Sequence, residues 1–231
     1  MSPSVLFFDL FHTLVLPRYN GSANEYGILG LSAEQWEAVA EDHDLYRRRA
    51  TGKVNDPSAI IDEIIANGGW IVTDDQRNQL LALRMGRMRA ALLHIDPPIL
   101  HTLKTLRKNG LKLCLISNAD SIDKMAFTES PLYPLFDDAI FSCDVGYMKP
   151  ERDIYQIAME RMGALPRDCF FIGDGGSDEL KGAKSAGMST VLSGHLWKWD
   201  TQNLARLLPD ADYHIRFFPA LLELPFAINQ L

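Results

Sequence analysis

One local pattern recurs along this chain and limits what it can fold into: a short apolar run that stops at a polar group, followed by a stretch with helical periodicity. Val5-Leu6-Phe7-Phe8 runs into Asp9, Leu111 to Ile116 into Ser117-Asn118, and Cys169-Phe170-Phe171-Ile172 into Gly173-Asp174. Ala139-Ile140-Phe141 is a shorter run whose following loop reaches Lys149-Pro150, and Thr190-Val191-Leu192 is a fifth. Apolar runs of this length without alternation read as strands buried on both faces. Strands that alternate with helices pair in parallel, because the intervening helix carries the chain back to the same end of the sheet. The expected fold class is therefore α/β, with a Rossmann-like parallel sheet as the core. Tyr213-His214-Ile215 is compatible with one more short strand, and Pro219 to Leu224 with a terminal helix.

One long segment breaks the alternation. Pro17 to Gly30 is rich in Gly, Asn, Ser and Pro and reads as a loop or hinge, and no strand-like run follows before Ile95. Ser32 with Gln35 and Thr73 with Gln76 have capping-box spacing, and Asp56-Pro57 pairs an N-cap with proline at the first helical position. The first of these helices is expected to run through Trp36, Val39 and Ala40 to Arg49, ahead of Gly52. The second carries Ile60, Ile61, Ile64 and Ile65 up to Asn67-Gly68-Gly69, and the third runs through Leu80, Met85 and Met88. Residues 17–95 thus read as a small helical bundle inserted between two parts of one core, 1–16 and 96–231. Asp96-Pro97 should cap the helix that resumes the core.

The composition narrows the function classes. A net charge of −7 disfavours nucleic acid and anionic membranes as partners, although a local basic pocket for a small anionic substrate stays compatible with it. No apolar run approaches the length of a membrane span, and no basic-then-apolar leader opens the sequence. Cys114, Cys143 and Cys169 show no metal-ligand spacing, which suits buried free thiols in a reducing compartment. A cytoplasmic protein is the expectation.

Parallel strands bring their carboxyl ends to one edge, where open α/β sheets bind ligands. Asp9, Ser117, Lys149, Asp174 and Asp178 would converge there. A lone strand-end aspartate can equally cap a turn, Ser117 can be a turn hydroxyl, and Lys149 a solvated loop charge. Together they suit a carboxylate nucleophile, groups for an anionic substrate, and further carboxylates for a divalent cation.

Taken in order, Phe8-Asp9-Leu10-Phe11-His12-Thr13-Leu14, Ile116-Ser117-Asn118, Lys149-Pro150 and Gly173-Asp174-Gly175-Gly176-Ser177-Asp178 resemble the four motifs of the haloacid dehalogenase-like (HAD) hydrolases. The resemblance spans nearly the whole chain, and that family also places a mobile helical cap between its first two motifs, which implies that residues 17–95 are a helical cap. It implies Asp9 as nucleophile, Ser117 as a ligand of phosphoryl oxygens and Lys149 as the balancing charge, with Thr13, Asn118 and Arg49 contacting substrate. It implies Mg²⁺ held by Asp9, the backbone carbonyl of Phe11, Asp174 and Asp178.

One position departs from the pattern. Most phosphatases of the family carry an aspartate two residues after the nucleophile, which protonates the leaving alcohol; here that residue is Phe11. His12 is adjacent and titrates in a useful range. An aromatic residue at this place resembles the metal-independent 2-haloacid dehalogenase branch, as does Tyr155 six residues after Lys149, although Tyr155 equally fits as a packing residue. The acidic fourth motif favours a metal-dependent phosphatase of a small phosphorylated metabolite. A 2-haloacid dehalogenase, or a binding or regulatory protein without turnover, are the alternatives. Of Arg47, Arg48 and Arg49, helix geometry allows at most one or two to face a site. Trp36, Met85 and Met88 read as cap core, and Trp197 and Trp199 as a pocket rim or as packing for the C-terminal helices.

Overall fold

The structure, a computed structural model, describes residues 5–19 and 21–228, so the extreme ends of the expected core, 1–4 and 229–231, lie outside the described residues. Its centre is a parallel sheet of six strands: β1 (Val5–Phe8), β2 (Lys112–Ser117), β3 (Asp138–Phe141), β4 (Cys169–Gly173), β5 (Ser189–Ser193) and β6 (Tyr213–Ile215). Their order is β3-β2-β1-β4-β5-β6. Phe8 lies in register with Leu115 on one side and Ile172 on the other. Strands are thus added outward from β1 in both directions, and the crevice this opens lies just beyond its carboxyl end.

Between β1 and β2 come α1 (Glu25–Ile28), α2 (Ala33–Ala40), α3 (His43–Ala50), α4 (Pro57–Gly68), α5 (Asp74–Leu93) and α6 (Pro97–Lys108). The later helices α7 (Ser121–Lys124), α8 (Ser142–Val145), α9 (Arg152–Met162), α10 (Glu179–Ser185), α11 (Thr201–Leu207) and α12 (Pro225–Ile228) fall among and after the remaining strands. No helix among the described residues is long and apolar enough to cross a membrane.

The two-residue period of a strand divides each central strand between two layers. Leu6 and Phe8 of β1, with Leu113 and Leu115 of β2, pack with Ile99 and Leu103 of α6 and with Phe218 and Leu221 near the C-terminus. Val5 and Phe7, with Cys114 and Ile116, pack against Ile154 and Ala158 of α9 and Leu180 and Ala183 of α10. A third cluster belongs to the insertion, where Trp36, Ile60, Ile61, Ile64 and Leu80 gather around Ile122 of α7. Burying each such aliphatic side chain is worth roughly 1.5–3 kcal/mol, enough for these helices to hold a core of their own. Phe11 touches both this cluster and the first sheet layer.

The caps at Ser32, Asp56 and Thr73 form as their spacing predicts. Four expectations are corrected. The helix expected from Ser32 to Arg49 is two, because the Asp42 carboxylate accepts the N–H groups of Asp44 and Leu45 at 3.2 and 3.1 Å and starts α3 afresh. Within the expected loop, Asn24 accepts from Gly27 at 2.7 Å and starts α1. Asp96 stands at the N-cap of α6 ahead of Pro97, as expected, but its side chain makes no capping hydrogen bond and instead pairs with His195 at 2.9 Å. The expected terminal helix is a 3-10 turn over Phe218–Glu223, followed by α12.

Candidate active site

Asp9 extends β1 by one residue, its N–H donating to the Ile172 carbonyl at 2.9 Å, so its side chain emerges at the middle of the sheet edge. The Lys149 ammonium lies 2.5 Å from one Asp9 carboxylate oxygen and 2.6 Å from Glu179. Asp174, at the end of the neighbouring strand β4, completes a buried cluster in which oxygens of Asp9, Asp174 and Glu179 all lie within 4.8 Å of one another.

Each member is positioned by its local backbone. Asn118 clamps the main chain of Lys149, accepting its N–H at 2.7 Å and donating to its carbonyl at 3.0 Å. Glu179 reaches inward because Ser177 and Asp178 both take left-handed backbone (φ 52° and 51°), a strain of about 1–3 kcal/mol each that concentrates at functional sites. It also needs a glycine beneath it, since a Cβ on Gly173 would lie 2.0 Å from a Glu179 oxygen. That oxygen accepts the Gly175 N–H at 3.0 Å.

Three buried carboxyl groups face one lysine. Burial and the neighbouring Asp9 push Asp174 up to about 7, and the same causes push Glu179 up. Burial alone would lower Lys149, but Asp9 and Glu179 outweigh it and hold the ammonium charged. The second Asp9 oxygen is buried with no hydrogen-bond partner among the described residues. An excess of anionic oxygens with an orphaned acceptor suits a hard divalent cation, so the residues present fit Mg²⁺.

Five residues escaped the sequence reading or changed place. Asp178, expected as a metal ligand, points outward and pairs with Arg206 at 3.0 Å, both more than half exposed; Glu179, one residue on, takes the inward position. No spacing in the sequence signals the exchange, because it follows from the left-handed backbone of Ser177 and Asp178. Arg49, expected at the substrate, is buried against Asp120 at 3.1 Å and Glu41 at 2.7 Å, while Arg47 and Arg48 pair with Glu151 and Glu63. The arginines on the cavity wall are Arg84 and Arg87, which share one face of α5 with Met88.

The remaining expectations divide. Asp9, Lys149, Asp174 and Asn118 line one cavity of about 640 Å³. Asn118's amide is engaged by Lys149's backbone, which makes it a positioning group first. Ser117 and Thr13 are fully buried and off the cavity wall, with the Ser117 hydroxyl 3.4 Å from the Asn118 carbonyl and the Thr13 hydroxyl without a partner among the described residues. Tyr155 is fully buried and donates to the Glu179 backbone carbonyl at 2.8 Å, a packing role. His12 lines the cavity in left-handed backbone (φ 65°); burial lowers its pKa, against the opposing pull of Asp9. The three cysteines are buried free thiols.

Buried charge joins the inserted helices to α7, after β2. Arg84 contacts Asp120 at 2.9 Å, Asp123 at 3.4 Å and Glu41 at 3.7 Å, and Arg49 joins the same cluster. Burial and the charge of Asp120 push Asp123 up to about 7; the two arginines outweigh burial at Asp120 and hold it below the usual carboxylate range.

The profile of the haloacid dehalogenase-like hydrolases matches residues 4–187. Among curated relatives, the glyceraldehyde 3-phosphate phosphatase of Methanothermobacter thermautotrophicus is 31% identical over 125 residues, covering 52% of this chain and 55% of the relative. The bifunctional epoxide hydrolase 2 of Rattus norvegicus is 36% identical over 103 residues, 42% of this chain and 18% of that protein. These matches span about half or less of each relative's length. In fold, the L-2-haloacid dehalogenase of Xanthobacter autotrophicus superposes with a TM-score of 0.64 at 16% identity, over 96% of this chain and 97% of that one. A HAD family enzyme of Bacteroides thetaiotaomicron in complex with magnesium and inorganic phosphate superposes with a TM-score of 0.60 at 21% identity, over 88% and 99%. Strand order, strand-end chemistry and a profile match over most of the chain agree, and the chain belongs to the haloacid dehalogenase-like hydrolases.

Proposed function

We propose that this hydrolase is a Mg²⁺-dependent phosphomonoesterase acting on a small anionic substrate through nucleophilic attack by Asp9. The observation that carries this reading is the cluster of Asp9, Asp174 and Glu179 around a single lysine. A dehalogenase working without metal would have to keep three buried carboxyl groups against one cation, which would weaken the nucleophile. When bound, Mg²⁺ would neutralise charge between carboxylate and phosphoryl group; Asp9, Asp174, Glu179 and the Phe11 carbonyl are its proposed ligands.

In this reading Lys149 holds Asp9 in place and balances its charge, and Asn118 holds the Lys149 loop. The inserted helices act as a cap that covers the cleft and supplies Arg84 and Arg87 to the wall. The buried thiols are in keeping with a reducing, cytoplasmic setting.

The dehalogenase reading keeps one observation in its favour, the aromatic ring at Phe11 on the cavity wall. One experiment separates the two. The protein is incubated with phosphomonoesters and with a 2-haloacid, each with Mg²⁺ and with chelator, and phosphate and halide are measured. Chelator-sensitive phosphate release, lost in Asp9→Asn, is expected; halide release that survives chelation would replace this reading with the dehalogenase one.

A further inference from the structure

The space beside Asp9 is walled by aromatic rings. Phe11, Trp197 and Trp199 line the same cavity as the nucleophile, joined there by Trp36 and Tyr26 from the inserted helices. The wall is fixed to the reaction centre. Trp197 packs edge-on against His12 with ring centroids 4.8 Å apart, and Trp199 packs edge-on against Trp197 at 6.0 Å. The Trp199 indole N–H donates to the backbone carbonyl of Asp174 at 2.5 Å, tying the rings to the carboxylate cluster. Trp197 is 41% exposed, so one of its faces is available to a ligand.

Two separate physical facts meet here. The position that would protonate a leaving alcohol holds a phenyl ring, so the departing oxygen must bear its negative charge unaided. A phenol does this well, with a pKa near 10, whereas an alcohol resembles water at about 15.7. Clustered rings, in turn, favour an aromatic guest through edge-on and offset contacts. Resting on the phosphatase reading above, we infer that the substrate class is an aryl phosphomonoester, the phosphate ester of a phenol, whose ring lies against Trp197 and Phe11.

The step balances without a proton donor. An Asp9 oxygen forms a bond to phosphorus, the bond from phosphorus to the aryl oxygen breaks, and the electron pair leaves on a phenolate that takes its proton from solvent. Water then attacks the phosphorus of the aspartyl phosphate, the bond to Asp9 breaks, and the water's protons leave with inorganic phosphate, restoring the Asp9 carboxylate.

The test compares phenyl phosphate, phenethyl phosphate, ethyl phosphate and acetyl phosphate on the full chain with Mg²⁺. Phenyl phosphate should exceed both alkyl esters by about 100-fold or more in kcat/KM, the amount a missing general acid withholds from a poor leaving group. Trp197→Leu should lower the ratio of phenyl to acetyl phosphate turnover by about tenfold, and Trp197→Phe should restore most of it. In Asp9→Asn, benzylphosphonate should quench tryptophan fluorescence and bind more weakly once Trp197→Leu is added. If acetyl phosphate is hydrolysed but the alkyl esters match phenyl phosphate, or Trp197→Leu leaves the ratio unchanged, the aryl assignment fails while the phosphatase reading stands. If no phosphate is released even from acetyl phosphate, both fail.

Discussion

Arg84→Met should loosen the join between the inserted helices and the sheet, and its cost can be worked from the contacts. Arg84 is 1% exposed and contacts Asp120, Asp123 and Glu41 at 2.9, 3.4 and 3.7 Å. Removing one partner of a buried ion pair costs about 3–5 kcal/mol, because the other charge stays buried. Asp120 keeps Arg49 at 3.1 Å and the N–H groups of Ile122 and Asp123 at 2.8 and 3.0 Å. The expected loss is therefore at the low end, about 3 kcal/mol near neutral pH.

Its pH dependence has a definite sign. Arg84 lowers the pKa of both carboxyl groups, so without it both rise from where the intact cluster holds them. A carboxyl group with a raised native pKa carries no penalty below its unfolded pKa and a growing one as pH rises towards the native value. Urea unfolding should thus find the variant closest to wild type near about pH 4 and furthest from it near about pH 8, and adding Asp123→Asn should recover part of the difference. A cost below about 1 kcal/mol at the higher pH, or one that shrinks as pH rises, would refute the assigned role of the cluster.

Further outcomes follow from the active site. Gly173→Ala places a methyl 2.0 Å from a Glu179 oxygen, so it should cost about 1–3 kcal/mol in thermal or urea unfolding and reduce activity by displacing Glu179 from Lys149. Glu179→Gln removes one anionic donor and should weaken Mg²⁺ binding by about tenfold or more in calorimetry, whereas Asp178→Asn, which alters an exposed pair, should leave it nearly unchanged. Phe11→Asp restores a proton donor and should raise phosphate release from alkyl esters by about 100-fold relative to aryl esters.

The elements that are legible in the sequence are those governed by neighbours along the chain. The apolar runs at Val5–Phe8 and Cys169–Gly173, and the capping pairs Ser32 with Gln35 and Thr73 with Gln76, are local patterns, and they form where expected. Strand-end chemistry followed, because parallel pairing must bring Asp9, Lys149 and Asp174 to one edge. The sequence by itself therefore determined the α/β class, the helical insertion, and the carboxylate at the end of β1 with its lysine.

What it left open depends on side-chain direction, which tertiary packing decides. Two left-handed residues, Ser177 and Asp178, rotate the chain so that Glu179 faces inward and Asp178 faces solvent, an outcome no residue spacing encodes. Arg49 and Arg84 both bury their guanidinium groups against Asp120, at 3.1 and 2.9 Å, yet only Arg84 also lines the cavity, a difference set by how α3 and α5 pack. Asp96 is a good cap by type, but His195, 99 positions along the chain, competes for its carboxylate and wins. The ring at Phe11 is visible in the sequence as a missing acid; only the fold sets Trp197 and Trp199 beside it, because they arrive on the loop after β5.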